Sequence, residues 1–87
     1  MARVPSTTEL AALLEELLED KRRASLELSE PSRACRTWVL AAPNTFNAPY
    51  DRFERARNAF RFQESSKNWK ELKASITELA EALRAYP

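Results

Sequence analysis

The sequence of 87 residues contains no glycine. Glycine takes positive φ angles without steric cost, so many tight turns and helix C-termini depend on it. A chain without glycine is expected to shape its connections with proline, and with asparagine in the left-handed region. The same absence excludes glycine-rich phosphate loops and the nucleophile elbow of hydrolases. The sequence therefore indicates rigid helices joined by few hinges.

Histidine is also absent, and Cys35 is the single cysteine. Without histidine the chain lacks the commonest general base and metal ligand. One cysteine forms neither an internal disulfide nor a zinc knuckle. We therefore expect no catalytic residues, no metal site and no cofactor, and we interpret the protein as not an enzyme.

The N-terminal third predicts a long helix over residues 7–28. Ser6 and Glu9 have the spacing of a capping box, and Pro31 disfavours helical geometry just before it. Between these signals, apolar residues recur at helical spacing and form one stripe. The members of this stripe are Leu10, Leu14, Leu17, Ala24 and Leu28.

The C-terminal segment predicts a second long helix over residues 66–86, capped by Ser65 or Ser66. Its apolar residues alternate at spacings of three and four, which is typical of a helix packed along another helix. These residues are Trp69, Leu72, Ile76, Leu79, Leu83 and Tyr86. Because the two long helices carry matching stripes, we expect them to pack side by side.

The middle of the chain is divided by prolines. Pro49 is typical of a first helical turn and predicts a third helix over residues 49–63. Residues 32–42 fit a short helix better than a strand, since a single strand has no evident partner in the chain. The stretch Asn44–Asn47 is predicted to be a loop. The expected fold is a single all-α domain of three to four helices.

Charge and aromatic residues are concentrated in the same segment. Residues 1–30 carry four basic and seven acidic residues, whereas residues 31–73 carry nine basic and four acidic residues, a net charge of +5. Seven of the eight aromatic residues also lie in residues 31–73. Cations interleaved with rings are typical of single-stranded nucleic-acid sites, and arginine also recognises carboxylates in bidentate fashion. The same rings at helical spacing are equally consistent with a core.

Phe62 is the most informative single residue in this segment. At about 100° per residue, it falls on the face opposite Tyr50, Phe53 and Phe60, near Arg52 and Arg55. Either the helix ends before Phe62 and the ring turns inward, or Phe62 is an exposed aromatic residue beside arginines. Exposed aromatic and arginine residues contribute much of the binding energy at protein interfaces.

We expect a non-enzymatic protein-binding module that occludes an acidic partner surface. It would be a small inhibitor, adaptor or antitoxin-like regulator, similar in size and style to small helical proteins of phages and mobile elements. The predicted partner-binding residues are Asn44, Phe46, Asn47, Arg52, Arg55, Arg61 and Phe62. The alternatives are nucleic-acid or nucleotide binding through residues 46–62, and a homodimer. No apolar run approaches the roughly 20 residues of a membrane span, so we expect a cytoplasmic protein without a membrane partner.

Overall fold

The computed structural model describes residues 5–86 and shows an all-α fold. The helices are α1 (Thr7–Glu16), α2 (Lys21–Glu27), α3 (Ser29–Ala41), α4 (Pro43–Phe62) and α5 (Ser66–Ala85), and a 3₁₀ turn at Leu17–Glu19 follows α1. The expected fold class is therefore confirmed. α5 packs against both α4 and α1, and α3 packs against α4 and α1.

The N-terminal stripe is buried as expected, but one continuous helix over residues 7–28 does not form. Asp20 has an extended backbone (φ −138°, ψ 101°), and its carboxylate accepts the Arg23 amide at 3.0 Å. This side-chain cap starts α2 in a new direction and keeps Ala24 and Leu28 in the core. The long N-terminal helix of the prediction is thus two short helices, of which α1 packs against α5.

Residues 32–41 belong to the helix α3 and Ala42 is its C-terminal cap, so the predicted short helix over 32–42 forms and the strand alternative is wrong. The Trp38 side chain connects α3 to Pro5 and Tyr86, at the two ends of the described residues. Its indole Nε1 donates to the Pro5 carbonyl at 3.0 Å, and its ring meets the Tyr86 ring edge-on with centroids 5.9 Å apart. Cys35 and Ser32 on the same helix are buried against the core.

Helix α4 begins six residues earlier than predicted, so Asn44–Asn47 is not a loop. Pro43 occupies the first turn, where its fixed φ suits a helix and its missing amide costs nothing. Phe46 is then one heptad before Phe53 and is completely buried, in contact with the Tyr86 ring at 5.1 Å between centroids. This burial overrides the helix-breaking tendency of Pro49, which lies inside α4.

The helix ends are formed without any positive φ angle within residues 5–86, so asparagine does not replace glycine in the left-handed region as expected. Asn68 satisfies the end of α4 with its side chain instead. Its amide nitrogen donates to the carbonyls of Ala59 at 3.2 Å and Gln63 at 2.9 Å. Ser65 caps α5, because its hydroxyl oxygen accepts a hydrogen bond from the backbone N–H of Asn68 at 3.1 Å.

Candidate partner-binding surface

The solvent-facing side of α4 collects most of the predicted binding residues. Because a helix turns about 100° per residue, positions separated by seven residues lie nearly above one another. We define the α4 outer surface by the exposed residues Asn44, Asn47, Asp51, Arg55 and Phe62, with Arg61 at its edge. The row from Asn44 to Phe62 is about 27 Å long at 1.5 Å per residue.

Phe62 is the outstanding member of this surface, with 93% of its area exposed. It is the last residue of α4, and Gln63 continues in extended conformation. Phe60 lies two residues earlier, about 200° away around the helix, and is buried against the Trp69 ring at 5.5 Å. The helix therefore does not end before Phe62, and the exposed alternative is the one that forms.

Side-chain caps fix the place where Phe62 projects from the fold. The hydrogen bonds from Asn68 hold the last turn of α4 against the first turn of α5. Orphan carbonyls at a helix end are otherwise satisfied by water or by a fraying 3₁₀ turn. Sequence reasoning identified a serine cap for α5 but missed Asn68, because its side-chain hydrogen bonds to Ala59 and Gln63 depend on how α5 folds back against α4.

The four arginines of α4 point in different directions. Arg52 pairs across to Glu78 of α5 and lies 3.9 Å from Glu71, so it belongs to the α4–α5 contact. Arg55 projects outward and pairs with Asp51 at 2.7 Å on its own helix. Arg61 is exposed at the edge of the α4 outer surface. An exposed pair such as Arg55–Asp51 contributes little to stability, so the Arg55 guanidinium is available to a competing carboxylate.

Arg57 lies on the inner side of α4, where only 14% of its side chain is exposed. It donates to the hydroxyls of Ser32 at 3.3 Å and Ser29 at 3.2 Å, and it pairs with Glu54 at 3.5 Å. The Ser32 hydroxyl also donates to Glu54 at 2.9 Å. This cluster satisfies buried polar groups between α3 and α4 and does not face the α4 outer surface.

The Cys35 thiol lies near this polar cluster. Burial, with a smaller contribution from the negative charge of Glu54, raises its pKa from 9.0 to about 12. Because the thiolate is the reactive form, the thiol is kept unreactive at neutral pH. Burial likewise raises the pKa of Tyr50, with an additional contribution from Glu54. These shifts have structural causes and create no nucleophile.

Phe46 is the predicted binding residue that the structure moves elsewhere. It is fully buried in the core, on the face of α4 opposite the outer surface. The sequence predicts a loop at Phe46, because Pro49 fits the first turn of a helix. Arg52, another predicted binding residue, also lies outside the α4 outer surface, because its guanidinium is directed to Glu78 of α5.

A second exposed apolar feature lies between α1, α2 and α3. The groove has a volume of about 720 Å³, and its apolar lining includes Leu10, Leu13, Leu17 and Leu26. Sequence reasoning missed it because the groove is lined by residues from both halves of the helix predicted over residues 7–28, which the break at Asp20 separates into α1 and α2.

Comparisons of the chain with protein-family models, with curated proteins and with solved structures found no match. Within residues 5–86, none of the helices is both long and apolar enough to cross a bilayer. The acidic, histidine and cysteine side chains of the same residues form no group of three or more that could hold a metal ion.

Proposed function

We propose that the protein is a non-enzymatic protein-binding module that occludes a partner surface with the α4 outer surface. The observation that carries this proposal is the nearly complete exposure of Phe62 on a rigidly capped helix end. An inhibitor, an adaptor and an antitoxin-like regulator all act in this way. The chemistry of the α4 outer surface therefore indicates what kind of partner surface it binds, and does not distinguish these three roles.

Burial of the Phe62 ring would supply much of the binding energy. Moving a phenylalanine side chain from water into an apolar pocket contributes about 1.5–3 kcal/mol. The fold would lose nothing, because the ring makes almost no internal contact. Since the helix is already ordered, little conformational entropy would be lost on binding.

The charges around Phe62 favour an acidic partner surface. Arg55 and Arg61 flank the ring on the outer and edge sides of α4, and Asp51 is the acidic member of the surface. A partner carboxylate can displace Asp51 from Arg55 because that pair is exposed. The proposed partner thus presents an apolar pocket bordered by carboxylates.

Nucleic-acid binding through residues 46–62 is the alternative, and the structure gives it weaker support. Single-strand sites need several rings available for stacking. In this segment Phe46, Phe53 and Phe60 are buried and Tyr50 is half-buried, which leaves the Phe62 ring fully accessible. The Arg52 guanidinium is also directed to Glu78 of α5 rather than to the α4 outer surface.

The test compares substitutions on the α4 outer surface with the same kind of substitution on the exposed side of α3. Phe62→Ala is matched by Leu40→Ala, because Leu40 on α3 is another large apolar residue with 78% exposure. The double variant Arg55→Glu/Arg61→Glu is matched by Arg33→Glu/Arg36→Glu on α3, which changes the net charge equally. Arg52 is left intact, since reversing it would oppose Glu78 and Glu71 within the fold.

Each tagged variant is used to capture partners from lysate of the source cell, with and without nuclease. We expect a protein that the wild type and both α3 variants retain and that Phe62→Ala and Arg55→Glu/Arg61→Glu lose. Equal capture by all variants would contradict the proposal. If capture disappears with nuclease, and an oligonucleotide binds at low salt and is released near about 0.5 M salt, the nucleic-acid alternative replaces it.

A further inference from the structure

We propose that Ser25 is a phosphorylation site for an arginine-directed serine kinase, and that the phosphate releases α2 from the connection between α4 and α5. The proposal does not depend on the function of the α4 outer surface. It is carried by the residues before Ser25, by its single tie to Glu64, and by the weak anchoring of α2.

The residues around Ser25 have the charge pattern of a recognition sequence for a serine kinase. Arg22 and Arg23 stand three and two positions before the serine, and Leu26 follows it with 76% of its area exposed. Paired guanidinium groups are recognised by carboxylates through strong, directional hydrogen bonds, and kinases use such substrate charge patterns for specificity. No other serine or threonine of the sequence has arginine at both of these positions.

The Ser25 side chain lies on the surface and makes one long-range contact. Its hydroxyl donates to the Glu64 carboxylate at 2.9 Å, which links α2 to the three-residue connection at 63–65. Water competes for both groups of an exposed hydrogen bond, so this contact adds little to stability and does not protect the hydroxyl.

Transfer requires the hydroxyl to enter the enclosed cleft of the kinase, so α2 must open locally. The helix has seven residues, and Ala24 is the buried one among them. Helices shorter than about 12 residues are marginal in water without tertiary support. Opening α2 therefore withdraws one alanine side chain of the helix from the core and breaks the exposed Arg23–Glu27 pair, and segments with so few buried contacts have low local unfolding free energies.

In the transfer step, the Ser25 oxygen attacks the γ-phosphorus of ATP. The new oxygen–phosphorus bond forms as the bond from the γ-phosphorus to the β,γ-bridging oxygen breaks, and ADP leaves. The hydroxyl proton passes to a carboxylate base of the kinase. The products are phosphoserine, ADP and a proton, with no oxidant or reductant involved.

The phosphate changes the contact between Ser25 and Glu64 from attraction to repulsion. A phosphoserine carries about −1.5 to −2 charges at pH 7 and has lost the hydroxyl proton that Glu64 accepted. Ser25 is also near the C-terminal end of α2, where negative charge is unfavourable. We therefore expect α2 to separate from the 63–65 connection once phosphorylated.

The test treats the folded full chain with the catalytic subunit of cyclic-AMP-dependent protein kinase and magnesium-ATP, and locates the phosphate by mass spectrometry. We expect one phosphate on Ser25 and none in Ser25→Ala. Arg22→Gln/Arg23→Gln should lower kcat/KM by about tenfold or more, from the loss of charge-assisted contacts. Arg33→Gln/Arg36→Gln, with the same change in net charge, should leave it unchanged.

Hydrogen exchange of the phosphorylated chain provides the second measurement. Amides of residues 24–28 should exchange faster after phosphorylation, while those in the middle of α5 stay protected. The site is refuted if the folded chain takes no phosphate while a peptide of residues 18–28 does, or if the phosphate lies on another serine. Unchanged exchange in residues 24–28 would refute the release of α2.

Discussion

Replacing Phe60 and Phe62 separately by alanine tests the orientation of α4 with one residue type at two neighbouring positions. Phe60 is 2% exposed and packs against the Trp69 ring, so Phe60→Ala leaves a cavity and removes an aromatic pair. Such substitutions cost about 3–5 kcal/mol. Phe62 is almost fully exposed, so Phe62→Ala should change the free energy of unfolding by less than about 0.5 kcal/mol. Alanine's higher helix propensity acts in the stabilising direction.

These magnitudes are easily separated in a small domain. About 1 kcal/mol corresponds to roughly 4–8 °C in Tm at this size, so Phe60→Ala should lower Tm by at least about 12 °C. Urea unfolding followed by the fluorescence of Trp38 and Trp69 gives the free energies directly. A loss above about 1 kcal/mol for Phe62→Ala would refute the outward orientation of the ring. If that loss grows with protein concentration, Phe62 packs against a second copy, and the homodimer alternative is favoured.

Three further substitutions test how the helix ends and the buried thiol act. Asn68→Ala should lower the free energy of unfolding by about 0.5–1.5 kcal/mol, measured in urea, because the side-chain hydrogen bonds to the Ala59 and Gln63 carbonyls are lost while each carbonyl keeps a backbone donor. Asp20→Ala should cost about 0.5–2 kcal/mol through the lost cap of α2, with Glu19→Ala as the matched exposed control. Because burial raises the pKa of the Cys35 thiol, the unfolded chain loses the thiol proton at a lower pH than the folded chain. The free energy of unfolding should therefore fall as pH rises from about 9 toward 12. The free energy of unfolding should fall by up to about 1.4 kcal/mol per pH unit in the wild type, and by less in Cys35→Ala. Equal slopes for the two proteins between about pH 9 and 10 would contradict the burial of the thiol.

The apolar spacing was sufficient to predict the all-α fold and most of the core. Leu10 and Leu14 in α1, Leu17 in the 3₁₀ turn that follows it, and Leu72, Ile76 and Leu83 in α5 are buried as their periodicity indicated. Periodicity reports which residues share a face, and it continues unchanged through a bend. For that reason it could not show that the chain breaks at Asp20, where a local hydrogen bond decides the geometry.

The helical face of Phe62 was predictable, but whether the helix extends as far as Phe62 and where Phe46 lies were not. Both depend on where α4 begins and ends, and two prolines offered two starting points. The chain uses Pro43, because the longer helix buries Phe46 against Tyr86, a contact between residues 40 positions apart in the sequence. The directions of Arg52 and Arg57 depend on similar long-range partners and could not be read from α4 alone.

The absence of glycine explains why the helix ends are fixed by side chains. Within residues 5–86 no residue has a positive φ, so no helix ends in the left-handed turn that glycine favours. The chain leaves its helices through extended residues such as Asp20 and Gln63, and neighbouring side chains satisfy the free backbone groups. These ends depend on particular hydrogen bonds, so each can be altered by one substitution. The connection at 63–65 shows the consequence: the Asn68 side chain bonds to its Gln63 carbonyl and the Ser25 hydroxyl bonds to its Glu64 carboxylate, so a single substitution at either residue removes one of these contacts.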